Sequence, residues 1–525
     1  AMWIPPIKKT AVGAAAALFC VFLYSCASLF SLNGPFSSLA HAGFFSSDLD
    51  VFEETLSLVS KKYVYPPDYN KIFSSAIEEM AKTAGLENLT FEHDANDQAI
   101  FKDSAKVTYR LDADRRHDFR AFKKVYYFLL DQFEGSLSKK DLEQAGIVGM
   151  MNSLDTYSQY LDKDAFERSI RDTQGQYGGL GMIITLSDNR HTIVKTMKNS
   201  PARRARIQPG DIIARVDGKE AKGMKIEELA RLLRGPPDSQ VTISILRPGD
   251  PTEKKHTLTR EIISIETVEY KTIGGTGYIK VASFSRQTNE QLKQALETAR
   301  RDGVRSIVLD LRDNPGGLLN QSVKVASHFL DHGRLVVYTQ GRQKSDRQEY
   351  RSLYKNNLRT FPIVVIVNRR SASASEIVAG ALRDSGRALI IGETSFGKGS
   401  VQTIFRVGDD SGLRLTTSKY YTPLGVDITE HGIVPDIGIV DDLLSDESAP
   451  SVPTQDPGNL LNKKASAIRI KKSDVEKFLK QRGMVIDEDN DATLLFAHLI
   501  ATNSTAPDKT NALAKARELA ANIIY

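Results

Sequence analysis

The sequence predicts a multidomain α/β protein, and three observations carry that reading. Apolar residues recur at three- and four-residue spacing over much of 51–154, the mark of amphipathic helices. Near 175 this pattern yields to short strands and turns. From 276 to 440, continuous apolar strands alternate with helices, which argues for a sheet covered on both faces. The divisions are an N-terminal segment 1–42, a helical N-terminal region 43–172, a small strand-rich domain 173–262, an α/β core 263–442, a linker 443–465 and a C-terminal helical region 466–525.

Residues 1–42 stand apart. Lys8 and Lys9 precede the apolar run AVGAAAALFCVFLYSCASLF (11–30), and Ala40-His41-Ala42 has the small-x-small form of a cleavage site. A basic start, an apolar stretch and such a site read as an export signal peptide. The run is also long enough to span a bilayer, so an uncleaved membrane anchor is an alternative, and lipidation at Cys26 is a third. Each implies an exported, periplasmic protein, soluble or tethered to the inner membrane. Cys20 and Cys26 are the only cysteines, so a chain without this segment has no thiol. That excludes a cysteine nucleophile, a disulfide framework and a Cys-based zinc site.

A net charge of +5 over 525 residues gives nucleic-acid binding no support. The nine histidines show no H-E-x-x-H pattern, and no metal or other cofactor is expected. Asp487, Asp489 and Asp491 lack the glycine and distal glutamate of a calcium loop and read as a solvated acidic turn.

Taken in order, VFEETLSLVSKKYV (51–64), YNKIFSSAIEEMAKTA (69–84), FRAFKKVYYFLLDQF (119–133) and DLEQAGIVGMMNSL (141–154) are helices. Residues 86–118 are polar, show no clear period and receive no element. HTIVKTM (191–197) is a strand, Pro209-Gly210-Asp211 a turn, MKIEELARLLRG (224–235) an amphipathic helix and QVTISILRPG (240–249) a strand. In the core, SIVLDL (306–311) ends in Arg312-Asp313-Asn314-Pro315-Gly316-Gly317. RLVVYT (334–339), PIVVIV (362–367) and ALIIG (388–392) are further strands, with a helix at about 373–384. Ser, Pro and Asp mark 443–465 as linker, and Ser473-x-x-Glu476 reads as a capping box opening VEKFLKQRG.

Chemistry concentrates in SASASEIVAG (371–380). Ser373 and Glu376 fit S-x-x-E, so Ser373 read alone is the N-cap of the next helix. A nucleophilic role requires a base, an oxyanion hole and room for substrate. Lys398, in GETSFGKGSVQ (392–402), lies one helix, one turn and one strand later, close enough in the fold for its side chain to reach back. In an extended 398–404 segment, Lys398, Ser400 and Gln402 share a face, and Gln402 can orient the lysine. A free lysine, with a pKa of about 10.4, is a poor base, but burial disfavours its charged form. Ser-Lys arrangements are an established variant of the serine triad. The Ala374 N–H, at a helix N-terminus, is one candidate oxyanion donor, and Gly316 or Gly317 of the DNPGG turn offers a second.

These stretches together resemble the C-terminal processing peptidases, or tail-specific proteases. The matching segments are DLRDNPGG, NRRSASASEIVAGAL, GETSFGKGSVQ, SKYYTPLG and HGIVPDI, with LDTYSQYLD and then GLGM, SPA and PGDII before them. The resemblance covers about 140–440 and implies an α/β, crotonase-like serine protease core with an inserted PDZ domain. It implies Ser373 as nucleophile, Lys398 as general base, Gln402 as the lysine's partner, and Ala374 with a glycine of the NPGG turn as oxyanion donors. The PDZ domain would add a peptide C-terminus as an extra strand, with Leu180, Gly181 and Met182 holding the carboxylate and the helix at 224–235 forming the opposite wall. Its partners would be proteins or peptides with free C-termini, an adaptor or regulatory protein, and a second copy in a homodimer. A non-catalytic PDZ scaffold and an acyl-CoA-type enzyme on the same core are the rival readings. The intact Ser373, Lys398 and Gln402 argue against the first, and Lys398 with the PDZ segment against the second.

Overall fold

The computed structural model describes residues 48–524, except 86–91, 95, 96, 103, 104, 134–136, 175, 188, 356–360, 409, 430, 442–467 and 488. The expected leader at 1–42, with Cys20 and Cys26, and the expected linker at 443–465 lie outside the described residues.

Helices α1 (Asp50–Lys62) and α2 (Tyr69–Thr83) begin the N-terminal region. The unassigned stretch that follows is an antiparallel meander of β1 (Glu92–Asp94), β2 (Asp97–Lys102) and β3 (Ala105–Tyr109). An all-helical reading of this region is therefore corrected. Val107 and Tyr109 alternate inward from β3, a two-residue period over too few residues to stand out from its polar surroundings. Helices α3 (Arg115–Gln132) and α4 (Lys139–Asn152) follow, capped by the side chains of Asp114 and Ser138. Phe52 and Phe122 stack at 4.1 Å in the core between α1 and α3. A short strand, β4 (Gln159–Leu161), and helix α5 (Lys163–Gln174) lead onward.

Strand β5 (Gln176–Gly179) enters the small domain. It contains β6 (Met182–Ser187), β7 (Arg190–Thr196), α6 (Pro201–Arg204), β8 (Ile212–Val216), β9 (Lys219–Glu220), α7 (Ile226–Leu233), β10 (Gln240–Arg247) and β11 (Asp250–Thr259). The exit strand β12 (Glu261–Ser264) pairs antiparallel with β5, so both connections form one two-stranded stem. The main sheet runs β11-β10-β8-β7-β6. Leu229 and Leu233 of α7 pack with Leu180, Ile193, Val216 and Ile243 in its core.

The α/β core continues with β13 (Val268–Ile273), β14 (Thr276–Val281), α8 (Thr288–Arg301), β15 (Ser306–Asp310) and α9 (Leu319–Ser327). Then come β16 (Leu335–Gln340), β17 (Gln348–Arg351), β18 (Ile363–Val367), α10 (Ala374–Asp384), β19 (Leu389–Gly392), β20 (Ser400–Val407), β21 (Ser411–Tyr421) and β22 (Ile437–Val440). The C-terminal region supplies β23 (Ile468–Lys471), α11 (Lys472–Gln481), α12 (Ala492–Asn503) and α13 (Lys509–Ile524).

The large sheet has the order β13-β14-β15-β18-β19-β22-β23 and is parallel except for the β13–β14 pair. Every residue of β15 and β18 is buried, as continuous apolar runs require of strands covered on both faces. Residues of α8, α9 and α10 form the core on one face, while α11, α12 and α13 cover the other. RLVVYT departs from expectation. As β16 it joins a separate antiparallel sheet, β17-β16-β21-β20, because its register partners are β17 and β21. The C-terminal region is not purely helical, since β23 extends the large sheet. That strand runs straight into α11 with Lys471 at the cap, which places Ser473 inside the helix and removes its expected capping role. Among the described residues, no helix is long and apolar enough to cross a membrane.

Candidate active site

Two turns at the ends of adjacent parallel strands meet at the site. The turn after β18 carries Ser371, Ser373 and Ser375, and the turn after β15 carries Asn314, Gly316 and Gly317. Hydrogen bonds stitch them together. The Asn314 carbonyl accepts from the Ala372 N–H at 2.9 Å and from Ser375 Oγ at 3.0 Å. Ser371 Oγ donates to the Leu311 carbonyl at 2.8 Å. Both outer serines thus tie the turns, while Ser373 occupies the cap position before α10 with φ 56°. That left-handed backbone is disfavoured for a residue with a Cβ and persists only where surrounding contacts fix it.

Glu376 supplies much of that fixation. Its buried carboxylate accepts four bonds: Oε2 from the Ser373 N–H at 2.7 Å and the Lys398 N–H at 3.0 Å, and Oε1 from Ser395 Oγ at 2.6 Å and the Gly397 N–H at 2.7 Å. The S-x-x-E spacing therefore does more than cap a helix. It joins the serine turn to the lysine segment. Burial pushes the Glu376 carboxyl up, and the four donors oppose that shift.

Lys398 precedes β20 and is partly buried. Burial pushes its ammonium pKa below the ordinary lysine value, Arg414 adds to the depression, and Glu376 opposes it. Nζ lies 4.8 Å from the centre of the Tyr157 ring. Beneath the site, the fully buried Tyr420 donates its hydroxyl to the Lys398 carbonyl and also bonds the Ser373 side chain. Burial, and then Glu376, hold the Tyr420 phenol well above its usual range.

The structure therefore brings Ser373, Ala374, Gly316 and Lys398 together. An added Cβ at Gly316 would stand 2.7 Å from Ser373 Cβ and 3.0 Å from the Ala374 nitrogen. The two candidate glycines differ. Gly316 N–H donates to Asn314 Oδ1 at 2.9 Å, whereas neither Gly317 N–H nor Ala374 N–H has a partner among the described residues. Gln402 does not reach Lys398. Its Nε2 donates to Ser400 Oγ at 2.9 Å, because the side chains at 400 and 402 share a strand face and the nearer hydroxyl captures the amide. Tyr420, Tyr157 and Arg414 carry no sequence signal for their place in the site, and the sequence marks Glu376 only as the partner of Ser373 in a capping box. Glu376 had a legible signal in its spacing, and Tyr157 and Tyr420 lay inside quoted motifs without a signal for their contacts.

In the small domain, Leu180 and Gly181 precede the edge strand β6, with Gly181 at φ 73°. Their N–H groups have no partner among the described residues, and Met182 opens the strand. Among the described residues, no cluster of His, Cys, Asp and Glu can hold a metal ion.

Two family models match the chain in the order of its domains. The model of peptidase family S41 matches residues 275–439, and a PDZ domain model matches 192–247. The carboxy-terminal-processing protease of Bartonella bacilliformis is 38% identical over 344 residues, covering 65% of this chain and 77% of that protein. A probable CtpA-like serine protease of Staphylococcus saprophyticus is 36% identical over 330 residues, covering 63% of this chain and 67% of that one. Among solved structures, the photosystem II D1 C-terminal processing protease is 28% identical, with 78% of this chain and 95% of that chain covered and a TM-score of 0.41. With its serine and lysine turns joined at the ends of the core strands and a PDZ domain inserted before them, the chain belongs to peptidase family S41, the carboxy-terminal-processing serine proteases.

Proposed function

We propose that the protein is an exported endopeptidase that captures protein C-termini on its PDZ domain and cleaves upstream with Ser373 and Lys398. The observation that carries this reading is the Glu376 bridge, which holds the backbones of Ser373 and Lys398 on one buried carboxylate oxygen. Neutral Lys398 Nζ takes the Ser373 hydroxyl proton as Oγ attacks the scissile carbonyl. The negative oxygen rests on the Ala374 and Gly317 N–H groups, neither of which has a partner among the described residues. The Lys398 ammonium then protonates the leaving amine as the C–N bond breaks, leaving a Ser373 ester. Water attacks that ester, gives a proton to Lys398, and the proton returns to Ser373 Oγ as the acid leaves. Gln402 supports the lysine once its amide leaves Ser400.

On the PDZ domain, the N–H groups of Leu180, Gly181 and Met182 receive the substrate carboxylate, and α7 forms the opposite wall. Export is supported by the basic pair, apolar run and Ala40-His41-Ala42 of the first segment. Incubation with unfolded polypeptides that differ only in a C-terminal carboxylate or carboxamide, with products mapped by mass spectrometry, tests the assignment. Faster cleavage of the acid is expected. Equal cleavage rejects carboxylate recognition, and an absence of peptide products rejects the endopeptidase reading.

A further inference from the structure

The Lys398 side chain ends over an aromatic ring. Nζ bonds neither Ser373 nor Gln402 and sits over the Tyr157 ring, 4.8 Å from its centre. A ring face attracts an ammonium through its quadrupole and offers nothing comparable to a neutral amine. The other groups around the lysine are Arg414 on β21, Glu376 on α10 and the Tyr420 hydroxyl, which is bonded to the Lys398 carbonyl. Arg414 opposes the charge and Glu376 favours it.

Tyr157 is itself anchored. Asp155 Oδ1 accepts from the N–H groups of Tyr157 and Ser158 at 2.8 and 3.0 Å, and from Thr416 Oγ1 at 3.1 Å. Asp155 Oδ2 accepts from Ser158 Oγ at 2.8 Å, and the Thr416 N–H donates to Ser158 Oγ at 3.1 Å. A turn from the N-terminal region is thereby latched to β21, the strand that also carries Arg414 and Tyr420. The turn that carries the half-buried Tyr157 ring is thereby held against the strand beside the lysine.

We propose that Tyr157 is a positioning residue that parks Lys398 as its ammonium in the substrate-free enzyme and sets the pH at which the lysine becomes a base. This rests on the assignment of Lys398 as the general base. Substrate entry must take Nζ off the ring before Ser373 can be deprotonated, so the contact holds the peptidase idle until the site is filled.

The test reads the lysine directly in the full chain. The rate of Lys398 acetylation by trace acetic anhydride, measured by mass spectrometry across pH, gives its titration midpoint without requiring turnover. Tyr157→Phe keeps the ring and should leave the midpoint in place. Tyr157→Leu keeps bulk without the quadrupole, and should raise the acid dissociation constant about two- to fivefold, the size of an ordinary cation–π contact. The ascending limb of kcat/KM should move to lower pH with it. A midpoint in Tyr157→Leu that is unchanged or higher overturns the proposal. Where Tyr157→Leu does not fold, Tyr157→Trp decides, because the stronger ring face should raise the midpoint and an unchanged value overturns the proposal. If the labelling midpoint moves while the kcat/KM limb stays, Tyr157 controls Lys398 as stated and the assignment of Lys398 as base is what fails.

Discussion

Glu376 Oε2 accepts from the backbone N–H of Lys398 at 3.0 Å and, through the same oxygen, holds the N–H of Ser373 at 2.7 Å. All four groups facing this carboxylate are donors. An amide in its place would point its own N–H groups at two of them. Each buried donor left unpaired costs about 1–3 kcal/mol. Glu376→Gln should therefore lower kcat more than about tenfold and lower the Tm, although it is nearly isosteric and removes a buried charge. Steady-state kinetics and calorimetry on the same preparation check this, and wild-type kcat in the variant would show that the bridge has no bearing on catalysis.

The pH dependence follows from Lys398. Its folded pKa is depressed by burial and Arg414, and in the proposed mechanism the neutral form is the active one. Activity should therefore rise with pH through a group titrating below about 10.4, the free-lysine value. Lys398→Arg keeps the charge but cannot release its proton, and should be nearly inactive. Stability carries the same sign. As pH falls from the free-lysine value toward the depressed one, the unfolded chain takes up a proton that the folded chain does not. Folding is weakened across that window and stays weakened below it. Lys398→Met should thus raise the Tm at neutral pH and do so less near pH 10, a stability gained at the expense of activity. Thermal melts at the two pH values measure the difference.

The glycine pair should separate geometry from folding. Gly316 has φ 100°, and an added Cβ meets Ser373 Cβ at 2.7 Å. Gly317 has φ 140°, and an added Cβ meets the Phe284 carbonyl oxygen at 2.2 Å. Gly316→Ala should stop cleavage by crowding the serine. Gly317→Ala should both stop cleavage and lower the Tm, because it also breaks the bridge to Phe284. Equal melting of the two variants would contradict the distinction.

Much of this arrangement is legible in the sequence. Fully apolar strands such as IVVIV (363–367) announce a two-sided sheet, and the DNPGG and SASAS turns after β15 and β18 announce the site. The short meander at 92–109 was not legible, because three strands of three to six residues carry too little alternation in a polar setting. Nor was the sheet membership of RLVVYT, which depends on pairing with a strand far along the chain. Spacing places Lys398 one helix and one strand after the serine turn, within reach of it, whereas the choice of Ser373 among the three serines rests on the family resemblance. Gln402 illustrates the limit. Strand alternation placed it on the right face, but only the local geometry shows Ser400 taking its amide. The ring of Tyr157 against Lys398 is a contact between distant segments that no local pattern encodes.

The three serines have distinct duties in this arrangement. Ser371 and Ser375 hold backbone carbonyls of the neighbouring turn, so alanine at either should cost about 1 kcal/mol and leave measurable turnover. Ser373→Ala should abolish cleavage while the protein stays folded. Cleavage assays on the three single variants, each with a melting curve, separate these outcomes.

Covalent capture of the nucleophile decides whether Ser373 carries the chemistry. The wild-type chain is treated with a fluorophosphonate, and the modified residue is located by mass spectrometry of the peptide spanning 371–383. A single adduct on Ser373 is expected, with much slower labelling in Lys398→Ala, because the serine then lacks its base. Labelling at Ser371 or Ser375, or wild-type cleavage by the Ser373→Ala variant, would contradict it.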